Sequence, residues 1–151
     1  MTQVPFEDPR PQRPVATVGV VCLRGAEVLL IKRGNPPRQG QWSLPGGRLE
    51  WGETLTVGAL RELSEETSVS AEILGLVDVV DGIFTSRTSG DTTRHYLLID
   101  YAARWLSGEP VAGDDAAEAR FVSLDDAMSL VEWDETRRVI REAVERFGAD
   151  S

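Results

Sequence analysis

One stretch of the sequence restricts the fold more than any other. The segment from Thr54 to Thr67 contains no proline and carries apolar residues at the spacing of an amphipathic helix. Apolar runs rich in β-branched residues precede it at Val15 to Leu23 and at Glu27 to Lys32, and another follows at Val69 to Val80. Because a helix set among strands of this kind has to cover a sheet, we expect an α/β fold.

The other elements are predicted from turn formers and apolar spacing. Strands are expected at 42–50, interrupted by Pro45 and two glycines, at 94–105 and at 119–122. Residues 81–93 are rich in Gly, Ser, Thr and Asp and predict a long loop. Helices are expected at 124–130, with Ser123 as the N-cap, and at about 132–147. This order predicts a mixed sheet with helices on both faces.

Length and charge narrow the possible functions. The chain has 151 residues, enough for one domain, which we place at 15–151 behind a proline-rich leader at 1–14. The formal net charge of −9 argues against a nucleic-acid polymer as partner, because such binding needs basic patches. No apolar run is long enough to span a membrane, and no signal peptide is apparent. The single cysteine, Cys22, lies in an apolar run, so a cytoplasmic location is expected.

Three glutamates share one strip of the predicted helix. With Glu62 at the origin of a helical wheel, Glu66 lies roughly 40° to one side and Glu65 roughly 60° to the other. Like charges at this spacing repel one another, and a hard cation such as Mg²⁺ would relieve the repulsion. A solvated acidic face is the other interpretation of the same three residues.

The residues around this strip resemble the Nudix box. The match consists of Gly47, Glu53, Arg61-Glu62-Leu63, Glu65-Glu66 and Val69, at the family's spacings. The lead-in from Gly40 to Gly47 and the segment Glu50 to Glu53 are also similar to that family. The resemblance implies a Nudix-type α/β/α sandwich with a mixed sheet. It also implies Mg²⁺, or Mn²⁺, as the cofactor of a pyrophosphohydrolase.

The resemblance further assigns roles around the metal. Glu62, Glu65 and Glu66 would be metal ligands, with Glu53 supporting them and Gly46 in the backbone turn over the metal. Arg61 would orient the glutamates through charge-assisted hydrogen bonds. We count Glu62, Glu65, Glu66 and Arg61 among the catalytic residues.

Two positions depart from the expected pattern. Ser68 stands where the family has glycine, at a place that suits a left-handed residue after a helix, so we expect a stability cost of roughly 1 kcal/mol. Gly58 falls in the middle of the helix beside the carboxylates. It either leaves space for metal or substrate or is a tolerated weak point in the helix.

The base that activates water is not assigned by the box. The acidic segment 113–121 offers Asp114, Asp115 and Glu118, and we favour Glu118. His95, the only histidine, is expected to be a structural residue or a substrate contact. The residues expected to contact substrate are Arg33, Arg48, Trp51, Phe84, Arg94 and His95.

The regions outside the box resemble the ADP-ribose pyrophosphatase branch of the family. This predicts hydrolysis of ADP-ribose to AMP and ribose 5-phosphate. The alternatives are a nucleoside triphosphate pyrophosphohydrolase acting on damaged nucleotides and, in a different class, a nucleotide sensor without catalysis. A sensor is expected to lack box glutamates, whereas all of them are present here. A homodimer is compatible with the sequence.

Overall fold

The computed structural model describes residues 12–36 and 38–150, and its order of elements follows the prediction. The strands are β1 Val15–Arg24, β2 Glu27–Arg33, β3 Trp42–Ser43, β4 Gly46–Arg48, β5 Ser70–Thr85, β6 Thr92–Ser107 and β7 Ala116–Ser123. The helices are α1 Leu55–Thr67, α2 Leu124–Leu130 and α3 Asp134–Phe147, and a 3₁₀ turn follows at Gly148–Asp150. Most of the predicted leader lies outside the described residues.

The seven strands form one mixed sheet with β1 at its centre. The order is β3-β2-β1-β6-β5, with β4 also paired to β1 and β7 also paired to β2. β1 runs parallel to β6 and antiparallel to β2 and β4. The prediction of an α/β fold with a mixed sheet is confirmed.

Each face of the sheet carries its own apolar core, which explains why β1 is apolar at nearly every position. On one face Val18, Val20 and Cys22 pack with Ala59 and Leu63 of α1. On the other face the core includes α2 and α3, and its buried members are Val21, Leu23, Val28, Leu30, Val77, Val80, Ala102, Val122, Ala127, Val131, Val139, Ile140 and Ala143. The helices therefore cover both faces, and α1 is held across the sheet by its buried side.

The prediction of a long loop at 81–93 is wrong, because most of this segment belongs to two strands. β5 continues to Thr85 and β6 begins at Thr92, so only the six residues from Ser86 to Asp91 form the turn. Cross-strand pairing of Asp81 with Leu97 and of Phe84 with Arg94 satisfies backbone groups in the hairpin, which outweighs the weak strand propensity of Gly, Ser and Asp.

The helix ends agree closely with the sequence signals. The Thr54 hydroxyl accepts a hydrogen bond from the Val57 N–H at 3.3 Å, and the Ser123 hydroxyl accepts one from the Asp126 N–H at 3.1 Å. α3 begins two residues later than predicted, at Asp134. None of the helices in the described ranges has the length and apolar character needed to cross a membrane.

Candidate functional site

A cavity of about 1080 Å³ opens between α1, the β5–β6 hairpin and the start of α3. Its acidic lining residues are Glu62, Glu65, Glu66, Asp100, Asp114, Asp115 and Glu135. Its cationic lining residues are Arg33, Arg38, Arg48 and Arg94, and its aromatic ones are Trp42, Phe84, Tyr96 and Trp133. The cavity thus combines the carboxylate strip predicted on α1 with groups suited to phosphates and flat rings.

Arg61 is the centre of the hydrogen-bond network on α1. Its guanidinium donates to both carboxylate oxygens of Glu53, at 2.6 and 2.9 Å. The same group donates to Glu62 at 2.9 Å, to Glu65 at 3.0 Å and to the Arg48 carbonyl at 3.1 Å. The fork to Glu53 holds the pKa of that carboxyl below its usual range, because Arg61 stabilises the ionised form. The pKa of Arg61 is raised in turn.

Glu66 is the most buried of the box glutamates, with 8% of its surface exposed. Burial raises its pKa to about 7, although the Gly46 N–H donates a 2.7 Å hydrogen bond to the carboxylate. Burial also raises the pKa of Glu62, with further contributions from Glu65 and Asp114. The ionised forms of Glu62 and Glu66 are therefore disfavoured in the absence of a cation.

The glycines of β4 let the backbone approach these carboxylates. A methyl group at Gly47 would lie 2.5 Å from the Glu62 carboxylate, and one at Gly46 would overlap the Val18 carbonyl. Only glycine fits at both places.

The segment after β6 is fixed against the C-terminal end of α1. The Val111 N–H donates to the Thr67 carbonyl at 2.9 Å, and the Gly113 N–H donates to the Glu66 carbonyl at 2.9 Å. Asp114 follows with a positive φ of 49° and lines the cavity. Its charge contributes to the raised pKa of both Glu62 and Glu66, so it is the loop carboxylate nearest to the strip.

Phe84 is the centre of an aromatic cluster on the opposite wall. Its ring centroid lies 6.3 Å from that of Tyr96 and 5.9 Å from that of Trp133. The Arg38 guanidinium stacks over the Phe84 ring at 4.2 Å. Phe84 and Arg94 line the cavity, and Phe84 lies on β5 and not in the predicted loop.

Five of the predicted site residues are outside the cavity lining: Glu53 and Arg61, which are bonded to each other beside the strip, and Glu118, Trp51 and His95. Glu118 lies on β7, where Lys32 is 3.5 Å from its carboxylate. Trp51 is fully exposed, and His95 is on β6 between the lining residues Arg94 and Tyr96. Because side chains alternate along a strand, the neighbours of His95 face the cavity while His95 faces away.

The structure explains why glycine is at position 58, and neither interpretation of the sequence anticipated this explanation. A methyl group there would lie 2.8 Å from a Glu53 carboxylate oxygen and 2.9 Å from a methyl carbon of Leu49. The glycine therefore leaves space for Glu53, which supports Arg61, and not for a ligand directly.

Sequence reasoning missed Asp100, Arg38, Tyr96 and Trp133. Asp100 had a detectable signal, since it is the one charged residue in the otherwise apolar run from Leu97 to Ala103. The roles of Arg38, Tyr96 and Trp133 depend on which elements meet around the cavity, and no local pattern marks them.

The oxygen-rich character of the strip fits a hard divalent cation. In the described part of the chain, however, no three His, Cys, Asp or Glu side chains are already spaced as a ligand set. Glu62 and Glu65 both face the Arg61 guanidinium, which neutralises part of their charge. A cation therefore has to compete with Arg61 for these two carboxylates.

Comparison with solved structures supports the same fold. The NUDIX domain of Shewanella oneidensis NrtR, complexed with ADP ribose, superposes with a TM-score of 0.76 at 25% identity, covering 97% of this chain and 99% of that chain. A NUDIX hydrolase from Nitrosomonas europaea superposes with a TM-score of 0.73 at 27% identity, covering 91% of this chain and 74% of that chain.

Curated sequences point to the same family. The ADP-ribose pyrophosphatase of Methanocaldococcus jannaschii is 35% identical over 117 residues, which cover 78% of this chain and 66% of that enzyme. An 8-oxo-(d)GTP phosphatase of Mycolicibacterium smegmatis is 33% identical over 123 residues, which cover 80% of this chain and 34% of that protein. The family model of the NUDIX domain matches residues 13–143. The chain therefore belongs to the Nudix hydrolase family.

Proposed function

We propose that this protein hydrolyses the pyrophosphate bond of a nucleoside diphosphate linked to another group, and that the substrate is ADP-ribose. The products would be AMP and ribose 5-phosphate. The observation that carries the proposal is a single cavity lined by the box glutamates, by four arginines and by an aromatic cluster. The similarity to an ADP-ribose pyrophosphatase and to a NUDIX domain complexed with ADP ribose supports this substrate.

The proposed cofactor is Mg²⁺, with Mn²⁺ as a substitute. Glu62, Glu65 and Glu66 would hold it, together with the backbone at Gly46, because hard cations prefer carboxylate and carbonyl oxygens. The cation would polarise the phosphoryl group and assist deprotonation of the attacking water. A bound cation would weaken the contacts of Arg61 to Glu62 and Glu65. Arg61 would still hold Glu53 through two hydrogen bonds and so keep the strip in position.

Asp114 is the proposed base in place of Glu118. It lines the cavity beside the carboxylate strip, whereas Glu118 lies outside the cavity near Lys32. A base has to reach the attacking water directly or through one further water, and the loop that carries Asp114 is bonded to the end of α1. The tether of Gly113 to the Glu66 carbonyl would hold Asp114 in place.

The positive side chains of the cavity would bind the substrate phosphates. Arg33, Arg48 and Arg94 line it, as the sequence predicted, and Arg38 adds a fourth guanidinium. Guanidinium groups match the geometry of phosphate oxygens and offset the charge of the acidic wall. We propose that the aromatic cluster around Phe84 takes the flat base of the nucleotide. The cytoplasmic location and the homodimer remain predictions.

A second candidate is hydrolysis of a damaged nucleoside triphosphate with release of pyrophosphate. The similarity to an 8-oxo-(d)GTP phosphatase favours it, and the same glutamates would serve it. A nucleotide sensor without catalysis is the remaining alternative.

The test is a product assay with purified protein and Mg²⁺ on ADP-ribose, NADH, diadenosine polyphosphates, sugar nucleotides, and normal and oxidised nucleoside triphosphates. We expect AMP and ribose 5-phosphate from ADP-ribose, with rates lower by about a hundredfold or more in Glu65→Gln and Glu66→Gln. Glu72→Gln is the matched control, because Glu72 is an exposed glutamate on β5 outside the cavity lining. Release of pyrophosphate from a triphosphate alone would overturn the substrate, and absence of all turnover would overturn the enzymatic proposal.

A further inference from the structure

Asp100 is a carboxyl group that the proposed chemistry does not use. It lies near the middle of β6, paired with Gly19 of β1 on one side and with Asp78 of β5 on the other. The side chain is partly buried and lines the cavity. It is not part of the carboxylate strip, which belongs to α1.

Among the described residues, no donor makes a hydrogen bond to the Asp100 carboxyl. The Arg138 guanidinium acts on the charge of Asp100 but donates its hydrogen bonds to Asp78 at 2.9 Å and to Glu135 at 3.0 and 3.1 Å. Burial raises the pKa of Asp100 to about 7, and the charge of Asp78 adds to the effect. A carboxyl group that is partly desolvated and has no partner costs stability, so its retention at a cavity wall points to a ligand.

The backbone beside Asp100 is adapted to it. A methyl group at Gly19 would overlap the Asp100 carboxylate, so only glycine lets this carboxyl occupy its place against β1. Val80 and Leu98 also line this part of the cavity and provide apolar surroundings. The Asp100 carboxyl therefore lies in a recess of the cavity beside Gly19, Val80 and Leu98.

The carboxyl group and the apolar side chains of this recess indicate which part of the substrate could bind there. A phosphate would be repelled by a carboxylate and has four arginines elsewhere in the cavity. A nucleoside, by contrast, offers N–H and O–H donors on a largely apolar framework, and the aromatic cluster of Phe84, Tyr96 and Trp133 lines the same cavity. Resting on the nucleotide substrate proposed above, we infer that Asp100 binds the nucleoside by accepting a hydrogen bond from a base N–H or a ribose hydroxyl.

This role makes Asp100 a determinant of specificity. A site with a buried acceptor rejects a ligand that lacks the matching donor, because the acceptor is then left without a partner. The residue would act on binding of the nucleoside and not on the attacking water. Its replacement should therefore change the affinity for mononucleotides even where no pyrophosphate bond is present.

The experiment measures binding without metal and without turnover. Isothermal titration calorimetry with AMP compares the wild type with Asp100→Leu, which removes the acceptor, and with Asp100→Asn, which keeps one oxygen. We expect the Kd to rise about tenfold or more for Asp100→Leu and less for Asp100→Asn. Asp78→Asn is the control for loss of a neighbouring charge, and its Kd should stay within about twofold of the wild type.

Two nucleotides identify the donor. Loss of affinity of the wild type for 2′-deoxy-AMP assigns the contact to the ribose hydroxyl, and loss for purine riboside 5′-monophosphate, which lacks the exocyclic amine, assigns it to the base. The melting temperature of Asp100→Leu should also rise at neutral pH, because a buried carboxyl without a partner is removed.

Other results would overturn the inference. The inference fails if the wild type and Asp100→Leu bind AMP with equal affinity, or if the wild type does not bind AMP. It also fails if Asp100→Asn and Asp78→Asn lose AMP affinity equally, or if Asp100→Leu has a lowered melting temperature. The proposed hydrolysis is judged separately by metal-dependent product formation. Binding that depends on Asp100 in a protein without turnover would leave the inference standing and remove the enzymatic proposal.

Discussion

At the residue scale, the candidate site contains acidic groups in two different electrostatic conditions. Glu53 is held in its ionised form by the two-pronged contact with Arg61, so its pKa is lowered. Glu66 is buried and, among the described residues, accepts a hydrogen bond from the Gly46 N–H alone, so its pKa is raised to about 7. A cation would reverse the second condition, because it stabilises the ionised form. Glu66, which is proposed as a metal ligand, is therefore the glutamate whose ionised form destabilises the protein without a metal.

This difference leads to a prediction for Glu66→Gln in the metal-free protein. The pKa in the unfolded chain is about 4.3, so between that value and about 7 the folded state binds a proton that the unfolded state lacks. Stability contributed by this group is therefore complete below about pH 4 and lost as the pH rises through about 7. At pH 8, Glu66→Gln should raise the free energy of unfolding by up to about 3 kcal/mol, since glutamine still accepts from Gly46.

Urea unfolding at pH 5 and pH 8 measures this effect. The gain from Glu66→Gln over the wild type should increase from the lower to the higher pH. Addition of Mg²⁺ should stabilise the wild type more than the variant. Glu145→Gln, at an exposed position of α3, is the control and should change little. A variant that is less stable than the wild type at pH 8 would contradict the interpretation.

At the element scale, the C-terminal end of α1 carries a local strain. Ser68 follows the helix with φ 62° and ψ 17°, the left-handed conformation expected from the sequence. Its backbone N–H donates to the Ser64 carbonyl at 2.9 Å, and its side chain is exposed. The Cβ atom thus adds strain to the residue that follows α1.

Ser68→Gly should therefore stabilise the protein. Relief of the left-handed strain contributes about 1 kcal/mol, which for a chain of this length raises the melting temperature by roughly 2–4 °C. Ser64→Gly is the matched control, because Ser64 is exposed in the interior of the same helix and the change should lower the melting temperature. Differential scanning calorimetry measures both variants, and a lower melting temperature for Ser68→Gly would refute the account.

At the scale of the whole molecule, the site depends on a contact between segments far apart in sequence. The loop after β6 is fastened to the end of α1 by the bonds from Val111 to Thr67 and from Gly113 to Glu66. A methyl group at Gly113 would lie 2.5 Å from the Glu65 carbonyl oxygen. Because that neighbour is backbone, the loop has to move, and Asp114 moves with it.

Gly113→Ala should consequently reduce turnover more than stability. We expect a destabilisation of about 1–3 kcal/mol from the overlap and a fall in kcat of about tenfold or more as Asp114 is displaced, with a smaller change in KM. Gly148→Ala is the control, since an added methyl there makes only an ordinary 3.5 Å contact with Val144. Steady-state kinetics and urea unfolding measure the two quantities. An unchanged kcat would argue against Asp114 as the base.

The sequence by itself determined the features that depend on local spacing. The strip of Glu62, Glu65 and Glu66 follows from the helical period, and the N-cap of α2 follows from the hydroxyl of Ser123 placed before a helical segment. The mixed sheet with helices on both faces follows from the order of elements. The strip and the cap could be predicted because each depends on neighbours within a few residues, and the layered sheet because the order of elements restricts how they can pack.

Tertiary structure alone decided the features that depend on contacts between segments far apart in the sequence. Pairing across the β5–β6 hairpin converted a predicted loop into strands, because backbone hydrogen bonds outweigh weak local propensity. The same packing left Glu118 outside the cavity and brought Asp100 beside Gly19. Burial of Glu66 and Asp100, and with it their raised pKa values, likewise depends on the assembled layers, because desolvation depends on everything packed around a group and not on its neighbours in the chain.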